Sequence, residues 1–477
     1  MAREILSTNI KALQINLDDG IYGTIAEIGG GQEVARNFFQ AGGASGTVAK
    51  TISAYDKQFS DRIYNAGNTG RYVSEDRLLK MLDTEFEELI TILSDKRHKS
   101  TCYFSFANTV ETINYKKDND AHGWLGVRFQ LKPDNPANEV VLHVKLLDQD
   151  TLLQQATLGI LGVNLIYACY YFYQTPNTFL QSLLDNISPG RVDITMIRMR
   201  GNDLNYVDNR LLAVQLVTNE MTRAVIFDRH GNVQEPADML YHKNVLAFRG
   251  SFRPITYVGF DMLKSSYALF KRDEDYKRDN TLALCEMTIN NLTEEGRLDE
   301  RDFLARVDIL NGMGQNVMVS VFREYYKLVT FFSGFKIRKL RIVIGIPTLL
   351  NVLDKKYYRG LKGGILEALG KMFPDNMKLY VYPTISSVSI IDPTKGEDLL
   401  TCENLPLPYN IDLLFRYLIH EKKILNLTEV KREWLYINSN RVLKMIQDGV
   451  EGWEEMVPQY ISKQIKTRRL FGYKGSV

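Results

Sequence analysis

From Asn244 to Pro383 the chain alternates short, β-branched apolar stretches with helix-patterned ones, and few folds satisfy that order. The strand candidates are NVLAFR (244–249), ALCEMTI (283–289), NVMVSV (316–321), RIVIGI (341–346) and KLYVYP (378–383). Helix candidates at about 257–272, 301–310 and 363–373 separate them. Apolar strands joined by helices predict a parallel, doubly wound sheet with both faces covered. The expected fold class is therefore α/β: a C-terminal doubly wound parallel, Rossmann-like sheet plus a mixed α/β N-terminal half.

The first half is less regular. Residues 1–95 read as mainly helical with glycine-rich punctuation. In SEDRLLKMLDTEFEELITILSD, Ser74 is the expected N-cap, and Leu78, Leu82, Phe86 and Leu89 recur at helical spacing. Strands are expected at 102–107, 126–131, 139–147, 192–199 and 224–228, with helices at 151–172 and near 208–220, where Asp208 is the expected cap. The turn RHGNVQEPAD (229–238) gathers Gly, Pro and Asp before a fresh strand. It sets an expected boundary: residues 1–238, of unidentified fold, and residues 239–477.

Charge follows the same division. The 477 residues carry 59 basic and 57 acidic side chains, but residues 1–240 sum to −6 and 241–477 to +8. With so small a total, no nucleic acid or membrane partner is expected, and any anion-binding half is the second. The Tyr-rich segment 322–341 mixes aromatics with bases, yet its helical spacing reads as a core-facing helix with a basic outer side. The basic tail from Ser462 reads as a solvated helix. No charge occurs between Asp150 and Asp185, a length that could span a membrane. Asn164 in its middle, Pro176 after it and the lack of basic flanks favour a buried core helix over a span or an oligomer interface. The first twenty residues have no continuous apolar core, so no secretory signal is expected. The four cysteines are far apart with no Cys-x-x-Cys pair, which fits a reducing cytoplasm.

The most informative segment ends the strand 244–249: Gly250-Ser251-Phe252-Arg253-Pro254-Ile255-Thr256-Tyr257-Val258-Gly259. A glycine-led turn from strand into helix directs backbone N–H groups and the positive helix end at one point, which suits a phosphate. The segment resembles the G-x-F-x-P-x-[HT]-x-x-H signature of the nucleotidylyltransferase superfamily, specifically nicotinate or nicotinamide mononucleotide adenylyltransferases. Gly250, Phe252, Pro254 and Thr256 match. Farther on, Ile437-Asn438-Ser439-Asn440-Arg441-Val442-Leu443-Lys444 is similar to the I-S-x-T-x-x-R motif of the same family, with Met456-Val457-Pro458 and a closing helix after it. RIVIGIPTLLNVLDKKYY resembles the family's strand and G-x-D-T segment. Together these cover roughly residues 240–477. The whole chain also looks like an uncharacterised bacterial family that carries the label nicotinate-nucleotide adenylyltransferase and, in places, TonB-dependent receptor. The second label has no support, since no ladder of amphipathic barrel strands is present.

The departures matter as much as the matches. The resemblance implies a His at the end of the first motif, contacting ATP phosphates, where this chain has Gly259. The Arg of the second motif falls on Leu443, with Lys444 one residue late and Arg441 two early. Pro347 replaces the acid expected after Gly345. Loss of one preorganised donor commonly lowers such a rate by ~10²–10³. The leading expectation is thus a nucleotide- or phosphate-binding protein on a degenerate adenylyltransferase fold, weakly active or inactive. Its nucleotide-binding residues would be Gly250, Ser251, Phe252, Arg253, Thr256, Ser439 and Lys444, with Arg253 the best substitute cation. No catalytic residue is assigned, and ATP with Mg2+ is implied only if activity survives. An active adenylyltransferase in NAD synthesis and a self-assembling scaffold, a homo-oligomer joined through 151–184 and the 41–47 loop, are the alternatives.

Other constellations carry less. Lys50-Thr51 follows a glycine cluster, but a P-loop needs glycines where Ala44 and Ala49 stand, and no preceding strand is expected. Ser45 lacks nucleophile-elbow spacing. His122-Gly123-Trp124 and His230-Gly231 read as turns that could line a pocket. No metal site is expected from six histidines without paired spacing.

Overall fold

A computed structural model describes residues 3–274, 276–294, 297–386 and 399–475, which divide into two compact units, Met1–Val225 and Ile226–Val477. The first contains α1 (Thr8–Asn16), β1 (Ile21–Gly29), α2 (Val34–Ala41), β2 (Val48–Ile52), α3 (Lys57–Tyr64), α4 (Glu75–Leu93), β3 (Cys102–Glu111), β4 (His122–Phe129) and β5 (Asn138–Leu146). α5 (Thr151–Tyr171), α6 (Pro176–Leu183), β6 (Val192–Arg200) and α7 (Asn209–Thr218) complete it. Six strands form one sheet in the order β2-β1-β3-β4-β5-β6. β2, β1 and β3 run parallel, and β3 to β6 are antiparallel.

α4 and α5 cover opposite faces of this sheet. Leu78 and Leu82 of α4 press on Gly126, while Gly162 of α5 admits Phe106 and Val34 from the other side. Ser74 and Asp208 cap α4 and α7 as the sequence predicts. Helix α5 is long and apolar enough to cross a membrane, and here it is a buried core helix. Asn164 explains itself within that core. Its Nδ2 donates to the carbonyls of Leu183 and Asp185 at 3.0 and 2.8 Å, and its Oδ1 accepts from the buried Lys11 Nζ at 2.8 Å. Lys11 also donates to Asp185 at 2.7 Å, and Arg3 grips the same carboxylate with two bonds of 2.6 Å. Burial alone raises a carboxyl; here the bonds from Arg3 and Lys11 outweigh it and hold Asp185 below its usual range.

The second unit opens with β7 (Ala224–Phe227), β8 (Val233–Gln234), α8 (Pro236–Leu240), β9 (Asn244–Arg249), α9 (Tyr257–Phe270), β10 (Thr281–Thr288), β11 (Thr293–Glu294) and β12 (Arg297–Leu298). α10 (Glu300–Gly312), β13 (Asn316–Ser320), α11 (Tyr325–Ser333), β14 (Lys339–Gly345), α12 (Ile346–Val352), α13 (Gly364–Met372), β15 (Met377–Tyr382) and β16 (Thr384–Ile385) follow. It ends with β17 (Leu399–Leu400), α14 (Tyr409–His420), β18 (Ile424–Asn426), α15 (Ser439–Asp448) and α16 (Gln459–Arg468). The main sheet has the order β18-β15-β14-β9-β10-β13-β7-β8. From β18 to β13 every pair is parallel, as the apolar strands predict. The fold is α/β with a Rossmann-like second unit.

The structure departs from the sequence reading at several places. The division falls at Val225, inside β7. This strand, expected in the first half, joins the second sheet and forms a hairpin with β8 across the 229–232 turn. Residues 1–95 hold four helices but also β1 and β2. β1 is nearly all buried, Glu27 included, so it lacks the polar alternation by which a half-exposed strand is recognised. In the tail helix α16, Arg468 and Lys466 pair with Asp308 and Glu454.

Candidate functional site

Counted from β9, the parallel strands β9, β10, β13, β14, β15 and β18 stand in the spatial order 3-2-1-4-5-6. The chain reverses its direction of travel between β9 and β14, and at such a point the crevice beyond the carboxyl ends of the strands receives ligands. Gly250 to Thr256 occupies that position, leading from the end of β9 into α9.

Phe252 shapes the turn. It has a left-handed φ of 51°, is buried, and sets its ring edge-on to Phe248 with centroids 5.4 Å apart. A Cβ at position 250 would lie 3.1 Å from the Phe252 ring, a tight contact that a side chain there could make only if the ring shifted by a few tenths of an ångström. Phe252 is thus a core residue beneath the turn. Thr256 stands at the N-cap of α9 but its side chain does not cap; Oγ1 lies 3.3 Å from the Ser439 Oγ. Ser439 opens α15, whose first turn is capped by Asn438 Oδ1 accepting from the amides of Asn440 and Arg441. The two sequence motifs, far apart in the chain, therefore meet hydroxyl to hydroxyl. Two further contacts hold them. Tyr257 stacks on Trp434 at 4.7 Å, and the buried Asp261 accepts from Tyr382 Oη at 2.8 Å and from the Lys431 amide at 2.9 Å. Burial and Asp261 together push the Tyr382 phenol far up, so it remains a donor.

Arg253 points into an ion-paired cluster. Its Nε lies 2.9 Å from Asp302 Oδ1, and Arg306 pairs with the same carboxylate. Arg306 also donates to the carbonyls of Ser251 and Asn291 at 3.1 and 2.8 Å, fastening the turn to α10. Burial pushes the Asp302 carboxyl up against the opposing pull of Arg306 and Arg253. Arg253 is thus a cation with a resident counter-charge. Lys444 is exposed, and five residues of helix turn it roughly 140° from Ser439. Leu443, where the resembled family has Arg, shares the Ser439 face instead. Gly259 lies in the first turn of α9, where an added Cβ would meet Ile255 at 3.0 Å. Gly250, Ser251, Phe252, Arg253, Thr256 and Ser439 are thus brought to one end of the sheet, and Lys444 is turned aside.

Sequence reasoning missed the buried groups behind this turn. Glu286, at the end of β10, takes two bonds from Arg249 at 2.5 and 3.1 Å and one from Ser320 Oγ at 2.5 Å. Arg249 also donates to the Arg323 carbonyl and lies 4.4 Å from the Tyr325 ring centroid. Polar residues at the carboxyl ends of three neighbouring strands, Arg249, Glu286 and Ser320, were the available signal.

Other sequence candidates fall elsewhere. Lys50 lies on β2 and pairs with Glu85 at 2.6 Å and with Glu88, which is not the geometry of a phosphate loop, although a strand does precede the glycines. His122 to Trp124 is the start of β4, not a turn, whereas His230 and Gly231 do form the β7–β8 turn around Asp228. Among the described residues no group of three His, Cys, Asp or Glu is placed to hold a metal ion.

No family model matches the chain, and no curated protein matches it. Solved structures similar to part of it are competence-damage proteins. The competence/damage inducible protein CihA from Agrobacterium tumefaciens is 16% identical, covering 34% of this chain and 93% of its own, with a TM-score of 0.24. A CinA superfamily protein from Escherichia coli is 17% identical over 39% of this chain and 96% of its own, also at 0.24. One from Klebsiella pneumoniae is 10% identical over 33% and 94%, again at 0.24. None of these is a TonB-dependent receptor.

Proposed function

We propose that the second unit binds a nucleotide or other phosphate-bearing ligand at the switch point between β9 and β14, with little or no adenylyl transfer. The observation that carries this is the meeting of Thr256 and Ser439 at the N-termini of α9 and α15, beside the Gly250 turn. Two helix N-termini and two hydroxyls converging at a Rossmann switch point form a site for an anion. The adenylyltransferase resemblance names the ligand class, a mononucleotide or ATP, and Gly259 and Leu443 remove the side chains that would stabilise charge during transfer. A cytoplasmic protein drawing on the NAD-related nucleotide pool is the setting this implies.

Calorimetric titration with ATP, NAD and nicotinate mononucleotide tests the site. At least one should bind the wild type, with affinity reduced about tenfold in Ser439→Ala and in Arg253→Ala, the effect of one lost hydrogen bond to a charged group. Absence of binding to the wild type, or equal binding by both variants, rules the site out.

A further inference from the structure

We propose that Lys11 and Asn164, in the core of the first unit, become joined Nζ to Cγ by an isopeptide bond that forms within the folded chain with the help of Asp185. The three side chains meet at one point. Lys11 Nζ lies 2.8 Å from Asn164 Oδ1 and 2.7 Å from Asp185 Oδ2. All three residues are buried, Lys11 and Asn164 at 1% and 0% exposure. An amine, an amide carbonyl and a carboxylate held together where bulk water does not compete are the components of intramolecular acyl transfer.

Each group is engaged, and the engagements suit the reaction. Asn164 Nδ2 donates to the carbonyls of Leu183 and Asp185, which fixes the amide and keeps its carbonyl end against the amine. Lys11 Nζ also lies 5.5 Å from the ring centroid of Tyr167, on the same helix as Asn164. Arg3 donates to both oxygens of Asp185 at 2.6 Å, so the carboxylate keeps a bidentate partner when Lys11 is consumed.

Charge supplies the driving force. Lys11, Arg3 and Asp185 sum to +1 inside an apolar core. Burial, the dominant cause, lowers the Lys11 ammonium below its ordinary value, and Arg3 acts in the same direction against the pull of Asp185. A lysine desolvated beside another cation is an activated nucleophile. The same positive field favours the negative charge that Asn164 Oδ1 acquires during attack. Bond formation then removes the surplus, leaving a neutral amide beside the Arg3–Asp185 pair.

The steps balance. Asp185 Oδ2 takes a proton from the Lys11 ammonium, and the freed Nζ lone pair bonds to Asn164 Cγ while the carbonyl electrons move to Oδ1. Asp185 passes its proton to Nδ2, the carbonyl re-forms and the Cγ–Nδ2 bond breaks. A second Nζ proton follows the same route through Asp185, so the nitrogen leaves as ammonium. The sum is lysine ammonium plus asparagine amide giving a secondary amide plus ammonium, with the carboxylate restored.

Mass spectrometry of the denatured full chain provides the test. The wild type should weigh one ammonia less than its sequence, and its digest should contain one branched peptide joining Lys11 to Asn164. Lys11→Met and Asn164→Leu should have their full sequence mass. In cell-free synthesis, Asp185→Asn should slow branching by ~10²-fold or more. If these variants do not fold, Asn164→Asp keeps the acyl carbon and should branch with loss of water in place of ammonia. A wild type of full mass without a branched peptide, or a deficit that persists in Lys11→Met, overturns the proposal. Branching of Asp185→Asn at the wild-type rate overturns the part given to the carboxylate.

Discussion

Each unit leads a parallel strand through a glycine turn into a helix, and the two turns treat the helix N-terminus in opposite ways. After β1, the turn at Gly29 to Gly31 delivers α2, and Glu27 fills its N-terminus, accepting from the amides of Val34 and Ala35 at 3.1 Å each. Asn108 Nδ2 adds a third bond at 3.1 Å. After β9, Thr256 gives α9 no side-chain cap and turns toward Ser439. The first turn thus carries its own carboxyl acceptor, while the second has no side-chain cap on its helix, and under the proposed function an anion from solution would take that place. A strand-glycine-helix pattern is therefore not a ligand site by itself. What distinguishes the two is whether a carboxylate stands two residues before the glycines.

The first unit's reliance on internal charge is tested most severely at Asp185. Asp185→Ala leaves Lys11 buried without its counter-charge and should destabilise the protein by about 3–5 kcal/mol, read as a fall in the urea midpoint; a loss below about 1 kcal/mol would show that water compensates the cation.

Under the proposed function, Gly259 and Leu443 at the positions where the resembled adenylyltransferases carry His and Arg predict catalysis near background. Pyrophosphate release from ATP plus nicotinate mononucleotide with Mg2+ should be absent in wild type and in Gly259→His, because Leu443 still occupies the place of the cation. Adding Leu443→Arg should raise the rate by ~10²-fold or more if the transition-state geometry survives. Release by the wild type would mean that other groups have taken over the lost roles.

Glu27 sharpens the comparison through pH. Burial, the dominant cause, raises its carboxyl from 4.5 to about 7 against the hydrogen bonds that favour ionisation. Between those values the folded state keeps a proton that the unfolded state has released, so stability falls as pH rises from 4.5 to 7. The loss is on the order of 3 kcal/mol. Glu27→Gln should flatten the urea midpoint over that interval; an unchanged slope would place the titration elsewhere. The smallest expected effect is at Asn438. Asn438→Ala removes the α15 cap, lowering stability by about 1 kcal/mol and, through the freed Ser439, the affinity for the nucleotide found by calorimetry.

Much of this was legible locally. The alternation from Asn244 to Tyr382, the turn at Gly250 and the apolar helix around Asn164 are short-range patterns, and periodicity and chain breakers reveal them. Long-range pairing was not legible. Nothing near Arg253 announces Asp302, the partner of Asn164 and Lys11 lies on another element, and the His122–His143 contact depends on the register of β4 and β5. β1 escaped recognition for a related reason, since a strand buried on both faces with a charged residue inside imitates no simple period. The glycine at the end of the strand 244–249 marked the turn into α9 but could not say which of its cations was already engaged.

That engagement has a consequence for how a ligand would arrive. An anion that draws Arg253 toward itself strips Asp302 of one of its two cations, in a place where burial already favours the neutral acid. Ligand uptake and proton uptake are then thermodynamically linked: occupancy raises the proton affinity of Asp302, and acidification in turn releases Arg253. Titrations in buffers of different ionisation enthalpy would register that exchange as a fraction of a proton absorbed per ligand bound, with Asp302 acting as an internal competitor for Arg253.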